Sequence, residues 1–78
     1  MDELESRLAR CFVAVFPDLN LEQVRTASTE SVGSWDSIAT VTLLDLVEGE
    51  FGVTLDSDDL EPLTSFEQMR DYLRRALL

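Results

Sequence analysis

Few residues of this 78-residue chain are equipped for chemistry: it has no histidine and no lysine, and its one cysteine is Cys11. Without histidine the commonest general base and the commonest metal ligand are missing, and hydrolase triads built on it are excluded. Ser37 is the exception by position. It follows Val32-Gly33-Ser34-Trp35-Asp36 and opens a helical stretch. A serine nucleophile needs a neighbouring base and an oxyanion site. Neither histidine nor lysine is present to act as that base, so any reaction at the Ser37 hydroxyl must be catalysed by another protein. The plain alternative is that Ser37 caps the helix, accepting a bond from one of its free amides.

The sixteen Asp and Glu residues form the second candidate set. Asp56, Asp58, Leu60 and Glu67 fall at positions 1, 3, 5 and 12 of a calcium-hand loop. Leu60 is no ligand, however, and Glu61 stands where that loop requires glycine, so no specific metal site is expected. The interval between Arg25 and Arg70 contains no arginine and holds Glu30, Asp36, Asp45, Glu48, Glu50, Asp56, Asp58, Asp59, Glu61 and Glu67. All of the chain's formal net charge of −10 therefore lies there, and the two outer arms cancel.

Three amphipathic segments must position these residues. The first, Asp2 to Phe16, places Leu4, Leu8, Cys11, Phe12 and Val15 at helical spacing, and Pro17 stops it. Leu19 to Gly33 shows no convincing period and reads as a long crossover loop. The second helix opens at Asp36 or Ser37, with Asp36 as a plausible N-cap. It runs to Phe51 with Leu43, Val47 and Phe51 at four-residue steps, and Gly52 sits where a helix end favours positive φ. A short turn at Asp56–Leu60 ends at Pro62. The last helix takes Ser65 as its N-cap, with Glu67 or Gln68 near the capping-box position. It faces Phe66, Met69, Tyr72 or Leu73, and Ala76 inward, and it gathers Arg70, Arg74 and Arg75 toward its negative end.

Residues 1–78 thus make one domain, an all-α four-helix bundle with three long helices, one short third helix and a long first loop. The second helix has an unusual feature. Ile38, Val41, Asp45 and Glu48 follow steps of 3, 4 and 3 and form a stripe distinct from that of Leu43, Val47 and Phe51. Either the second stripe is offered to a partner, or Ile38 and Val41 are core and the acids only a solvated face.

Charge and composition narrow the partners. An excess of acid makes nucleic acid and anionic membrane poor partners and basic protein surfaces good ones. No apolar run approaches the roughly 18 residues of a membrane span. The acids Asp2, Glu3 and Glu5 stand where a secretory signal would be positive, and a lone apolar-face cysteine fits a reducing compartment, so a cytoplasmic monomer is expected.

Asp36-Ser37-Ile38, followed by Val41, Leu43, Leu44, Val47, Glu48, Glu50 and Phe51-Gly52-Val53, resembles the attachment region of acyl and peptidyl carrier proteins, whose motif is Asp-Ser-Leu. Ile38 replaces the leucine. The likeness continues through Leu55, Asp58, Asp59, Leu63, Thr64-Ser65-Phe66 and Tyr72-Leu73, and with the first helix and the crossover it spans essentially the whole chain. The resemblance implies a non-enzymatic carrier of the acyl-carrier fold. Its Ser37 would receive 4′-phosphopantetheine from coenzyme A, with Asp36 beside it, and hold an acyl or aminoacyl group as a thioester on that arm. It further implies docking of a phosphopantetheinyl transferase, of acyl or aminoacyl ligases or transferases, and of downstream synthases. Ile38, Val41, Asp45 and Glu48 are the recognition residues it assigns.

Two departures refine the reading. Ala39 and Thr42 are neutral where many fatty-acid carriers keep acids, and Trp35 replaces a residue that is commonly small. They shift the reading away from primary fatty-acid synthesis, with Trp35 looking like that of free-standing carriers of specialised pathways or of D-alanyl transfer. The chain is read as a free-standing carrier of polyketide, nonribosomal peptide or related specialised biosynthesis. A carrier of fatty-acid synthesis or of D-alanyl transfer is the alternative within the family. Outside it stands an unmodified acidic helical interaction module. Trp35 itself is expected to pack beneath the loop, as large aromatics usually fill cores.

Overall fold

The structure is a computed structural model that describes residues 2–55 and 63–77. Four helices account for most of them: α1 (Glu3–Val15), α2 (Leu21–Val24), α3 (Ser37–Phe51) and α4 (Phe66–Ala76). Among the described residues there is no strand, only an isolated antiparallel bridge between Ser28 and Ser65. The turn expected at Asp56–Leu60 lies outside the described residues.

Each long helix starts on a side chain that accepts an otherwise free amide. The Asp2 carboxylate accepts from the Glu5 N–H at 2.8 Å, that of Asp36 from the Ala39 N–H at 2.8 Å, and the Ser65 hydroxyl from the Gln68 N–H at 3.2 Å. At the far end of α3, Gly52 adopts φ 67°, the left-handed conformation in which glycine carries no Cβ penalty. The Gln68 side chain reaches back as a capping box would, but one residue further. It accepts from the Thr64 N–H at 2.8 Å and from the Thr64 hydroxyl at 2.9 Å.

The crossover is more ordered than its missing period implies. Asn20 and Gln23 form a reciprocal capping box that opens α2: Asn20 Oδ1 accepts from the Gln23 N–H, and Gln23 Oε1 accepts from the Asn20 N–H. Further along, Thr29 N–H donates to the Thr64 carbonyl at 2.9 Å and Phe66 N–H to that of Ala27 at 3.0 Å. These two bonds tie the middle of the crossover to the start of α4.

α1 is the hub and packs against α2, α3 and α4. Its Leu8, Ala9, Cys11 and Phe12 meet Val24 of α2, Leu43, Leu44, Val47 and Phe51 of α3, and Phe66, Met69 and Leu73 of α4 in one apolar core. The centre is aromatic. The Phe12 ring lies 5.4 Å from Trp35 and 5.3 Å from Phe66, both edge to face, and Phe16 lies 5.6 Å from Trp35. Ala76, expected to face inward, is exposed, because α4 reaches the rim of the core after Leu73.

Candidate functional site

The start of α3 presents Ser37 to solvent. Capping there falls to Asp36, which leaves the serine hydroxyl with no hydrogen-bond partner among the described residues. The Thr40 N–H donates to the Asp36 carbonyl at 2.9 Å, while the amides of Ser37 and Ile38 have no acceptor among the described residues. These two donors and the helix dipole give this end a partial positive charge. Asp36 adjoins it in the chain, and the first turn of α3 itself contains no acid.

The turn before the serine is fixed from beneath. Trp35 is 5% exposed and is wedged against Phe12 and Phe16, as expected of a large aromatic under a loop. Its indole Nε1–H donates to Thr40 Oγ1 at 2.9 Å, and the Thr40 hydroxyl donates in turn to the Asp36 carbonyl at 2.9 Å. Thr40 has no role that the sequence alone displays. Its bond to the indole joins residues on two different elements, so helical spacing could not reveal it.

Ile38 and Val41 are 78% and 62% exposed, so they do not belong to the core. Asp45 is exposed and Glu48 half-buried on the same stripe. Among the described residues no arginine is within ion-pair distance of Asp36, Asp45 or Glu48. Ser37, Ile38, Val41, Asp45 and Glu48 thus share the side of α3 turned away from Leu43, Val47 and Phe51. Leu46, 41% exposed, lies beyond this stripe. It lines an open groove between α1 and α3 together with Arg10, Cys11 and Ala14. Helical spacing gives Leu46 no part in either stripe, so the sequence pattern alone does not display it.

The arginines cluster elsewhere. Arg74 pairs with Asp2 and Glu5, and Arg70 with Asp71 at 3.1 Å. Arg7 binds Glu50 at 3.0 Å and lies with its guanidinium carbon 4.6 Å above the centre of the Phe51 ring. The backbone bond from Glu5, with Arg74 adding to it, holds the Asp2 carboxyl below its ordinary value. Cys11 is buried in the α1–α3 contact, and desolvation, reinforced by the Glu50 charge, pushes its thiol above the ordinary value. A protonated, buried thiol is a poor nucleophile. Among the described residues no three potential metal ligands cluster.

No protein-family model matches the chain, and no curated protein sequence matches it. No helix among the described residues is long and apolar enough to cross a membrane.

Proposed function

We propose that the chain is an acyl or aminoacyl carrier whose Ser37 is the attachment point for 4′-phosphopantetheine. The observation that carries this reading is the division of labour at the start of α3. Asp36 caps the helix, and Ser37 is left exposed with a hydroxyl that is unengaged among the described residues. Its surroundings suit the group: the unpartnered Ser37 and Ile38 amides and the positive helix end favour a phosphodiester at the serine oxygen. When bound, the group supplies a thiol on a flexible arm, on which an acyl or aminoacyl unit travels as a thioester.

The chain itself performs no catalysis. Attachment joins the Ser37 oxygen to a phosphorus of coenzyme A and breaks the bond to adenosine 3′,5′-bisphosphate, which leaves. The serine proton passes to a base of the transferase, which this chain lacks. Exposed Ile38 and Val41 offer an apolar contact, and the unpaired Asp45 and Glu48 steer basic enzymes toward it. Together with the helices at α1, α3 and α4, these features support a carrier-type bundle; the choice of specialised biosynthesis rests on Trp35 and the neutral Ala39 and Thr42 alone.

The test is mass spectrometry after incubation with coenzyme A and a broad-specificity phosphopantetheinyl transferase. The wild-type chain should gain the prosthetic group and Ser37→Ala should not. No gain in the wild type, or a gain retained in the variant, would return the chain to the class of unmodified acidic interaction modules.

A further inference from the structure

We propose that Trp35 and Thr40 are positioning residues for the modification of Ser37, holding the serine in the one orientation an incoming transferase needs. The proposal rests on the carrier reading and adds to it the means by which the core fixes the serine.

A buried indole N–H requires an acceptor. That of Trp35 donates to Thr40 Oγ1 at 2.9 Å, and the Thr40 hydroxyl proton is directed to the Asp36 carbonyl at 2.9 Å. The Thr40 backbone N–H donates to the same carbonyl, also at 2.9 Å. The Asp36 carbonyl therefore accepts two bonds at once. It belongs to the same planar peptide unit as the Ser37 N–H, so fixing one fixes the direction of the other. The indole in turn is set edge-on against Phe12, with ring centres 5.4 Å apart, and packs on Phe16.

A direct chain of contacts thus runs from the core face of α1 through the indole and the threonine to the peptide bond that carries Ser37. First turns of helices fray readily, because their amides have no partner within the helix. The serine is exposed and makes no hydrogen bond of its own among the described residues, so the peptide unit on its N-terminal side is what fixes its backbone. A phenylalanine at 35 would fill the same space but leave Thr40 without the indole donor. A valine at 40 would keep the shape and leave the indole N–H buried without an acceptor.

The experiment compares Trp35→Phe, Thr40→Val and Thr40→Ser with the wild type as substrates of a phosphopantetheinyl transferase and coenzyme A, and measures amide hydrogen exchange on the same proteins. Trp35→Phe and Thr40→Val should each lower kcat by about tenfold with KM changed less than about twofold, as expected when a reacting group is misplaced rather than undocked. Thr40→Ser, which keeps the hydroxyl, should restore kcat. The double variant should be no slower than the slower single one, because either change breaks the same relay. Exchange at the hydrogen-bonded amides of Ala39 and residue 40 should quicken in Thr40→Val while that of Leu43 to Val47 stays unchanged.

Unchanged kcat in both variants overturns the positioning role, as does a rise in KM alone or faster exchange along the whole of α3. A wild-type chain that is never modified at Ser37 overturns the carrier reading and this proposal together. A wild type that is modified as fast as its variants overturns this proposal only.

Discussion

α3 and α4 are both long capped helices of one small core, yet they relate to it in opposite ways. α4 is strictly two-sided. Phe66, Met69 and Leu73 are buried, while Arg70 and Arg74 on its polar side pair with Asp71, Glu5 and Asp2. α3 contains no basic residue, buries Leu43, Leu44, Val47 and Phe51, and leaves Ile38, Val41 and Leu46 in solvent; its Glu50 is held by Arg7, while no arginine among the described residues pairs with Asp45 or Glu48. The fold pairs Arg70 and Arg74 of α4, while on α3 it pairs Glu50 and leaves the stripe of Ile38, Val41, Asp45 and Glu48 without a cation among the described residues. A helix that keeps bulky apolar groups and unpaired like charges outside the core points to a contact with another molecule.

If that division is right, substitutions on the two sides of α3's packing should differ sharply. Phe12→Ala removes the ring that joins Trp35, Phe16 and Phe66, and should lower stability by about 3–5 kcal/mol. Ile38→Ala and Val41→Ala should stay within about 0.5 kcal/mol of the wild type, since neither residue is buried. Denaturant titration measures both. Comparable losses at Phe12 and Val41 would place the outer stripe in the core and break the comparison.

At the ends of α3, the capping assignment is tested on a smaller scale. Gly52→Ala forces a Cβ into a φ of 67° with open space around it, so its cost of about 1–2 kcal/mol is backbone strain alone. Asp36→Ala should cost about 1 kcal/mol through the lost cap, and Ser37→Ala only a few tenths. The reverse order would make Ser37 the cap and leave the proposed attachment point without its distinguishing feature.

How much of this was readable beforehand follows from the range of each interaction. The caps at Asp36 and Ser65, the glycine at 52 and the inward residues of α3 rest on contacts within one turn, and their spacing alone displays them. α2 rests on an equally local device. Asn20 and Gln23 stand three apart, as a capping box requires, but only four helical residues follow, too few for a hydrophobic period to register. Ala76 continued the inward spacing of α4, and only the position of the core's edge makes it exposed. The exposure of Ile38 and Val41, the Trp35–Thr40 bond and the crossover's attachment to Thr64 and Phe66 depend on how separate elements meet. No window of sequence contains them.

On the paired side, pH supplies a further test. Asp2, on the paired side, has a folded pKa below its ordinary 3.8, set first by the Glu5 amide and then by Arg74. A carboxyl depressed in the folded state contributes stability that is present above the unfolded value and is lost as pH falls through the folded one. Acid titration of stability should therefore show an Asp2 contribution that is complete above about pH 4 and lost as pH falls below it, and Asp2→Asn should flatten that limb. Asp2→Asn leaving the acid limb unchanged would remove the carboxylate from the forces that hold the α1–α4 side.

Salt separates the same regions with the smallest effect. Added salt or magnesium screens repulsion among the unpaired acids and equally weakens the pairs made by Arg70 and Arg74. With a net charge of −10, repulsion outweighs attraction, so the melting temperature should rise with ionic strength. Asp45→Asn and Glu48→Gln remove repulsive partners, and should raise stability at low salt by about a few tenths of a kcal/mol while shrinking the salt-induced rise. Glu5→Gln removes the carboxylate bound by Arg74 at 2.9 Å, and should lower stability at low salt by about 0.2–1 kcal/mol while enlarging that rise. Opposite signs for the two sets follow from acids held by the fold on one side and left for a partner on the other. Equal signs would mean that the negative charge of α3 is merely part of a uniform surface.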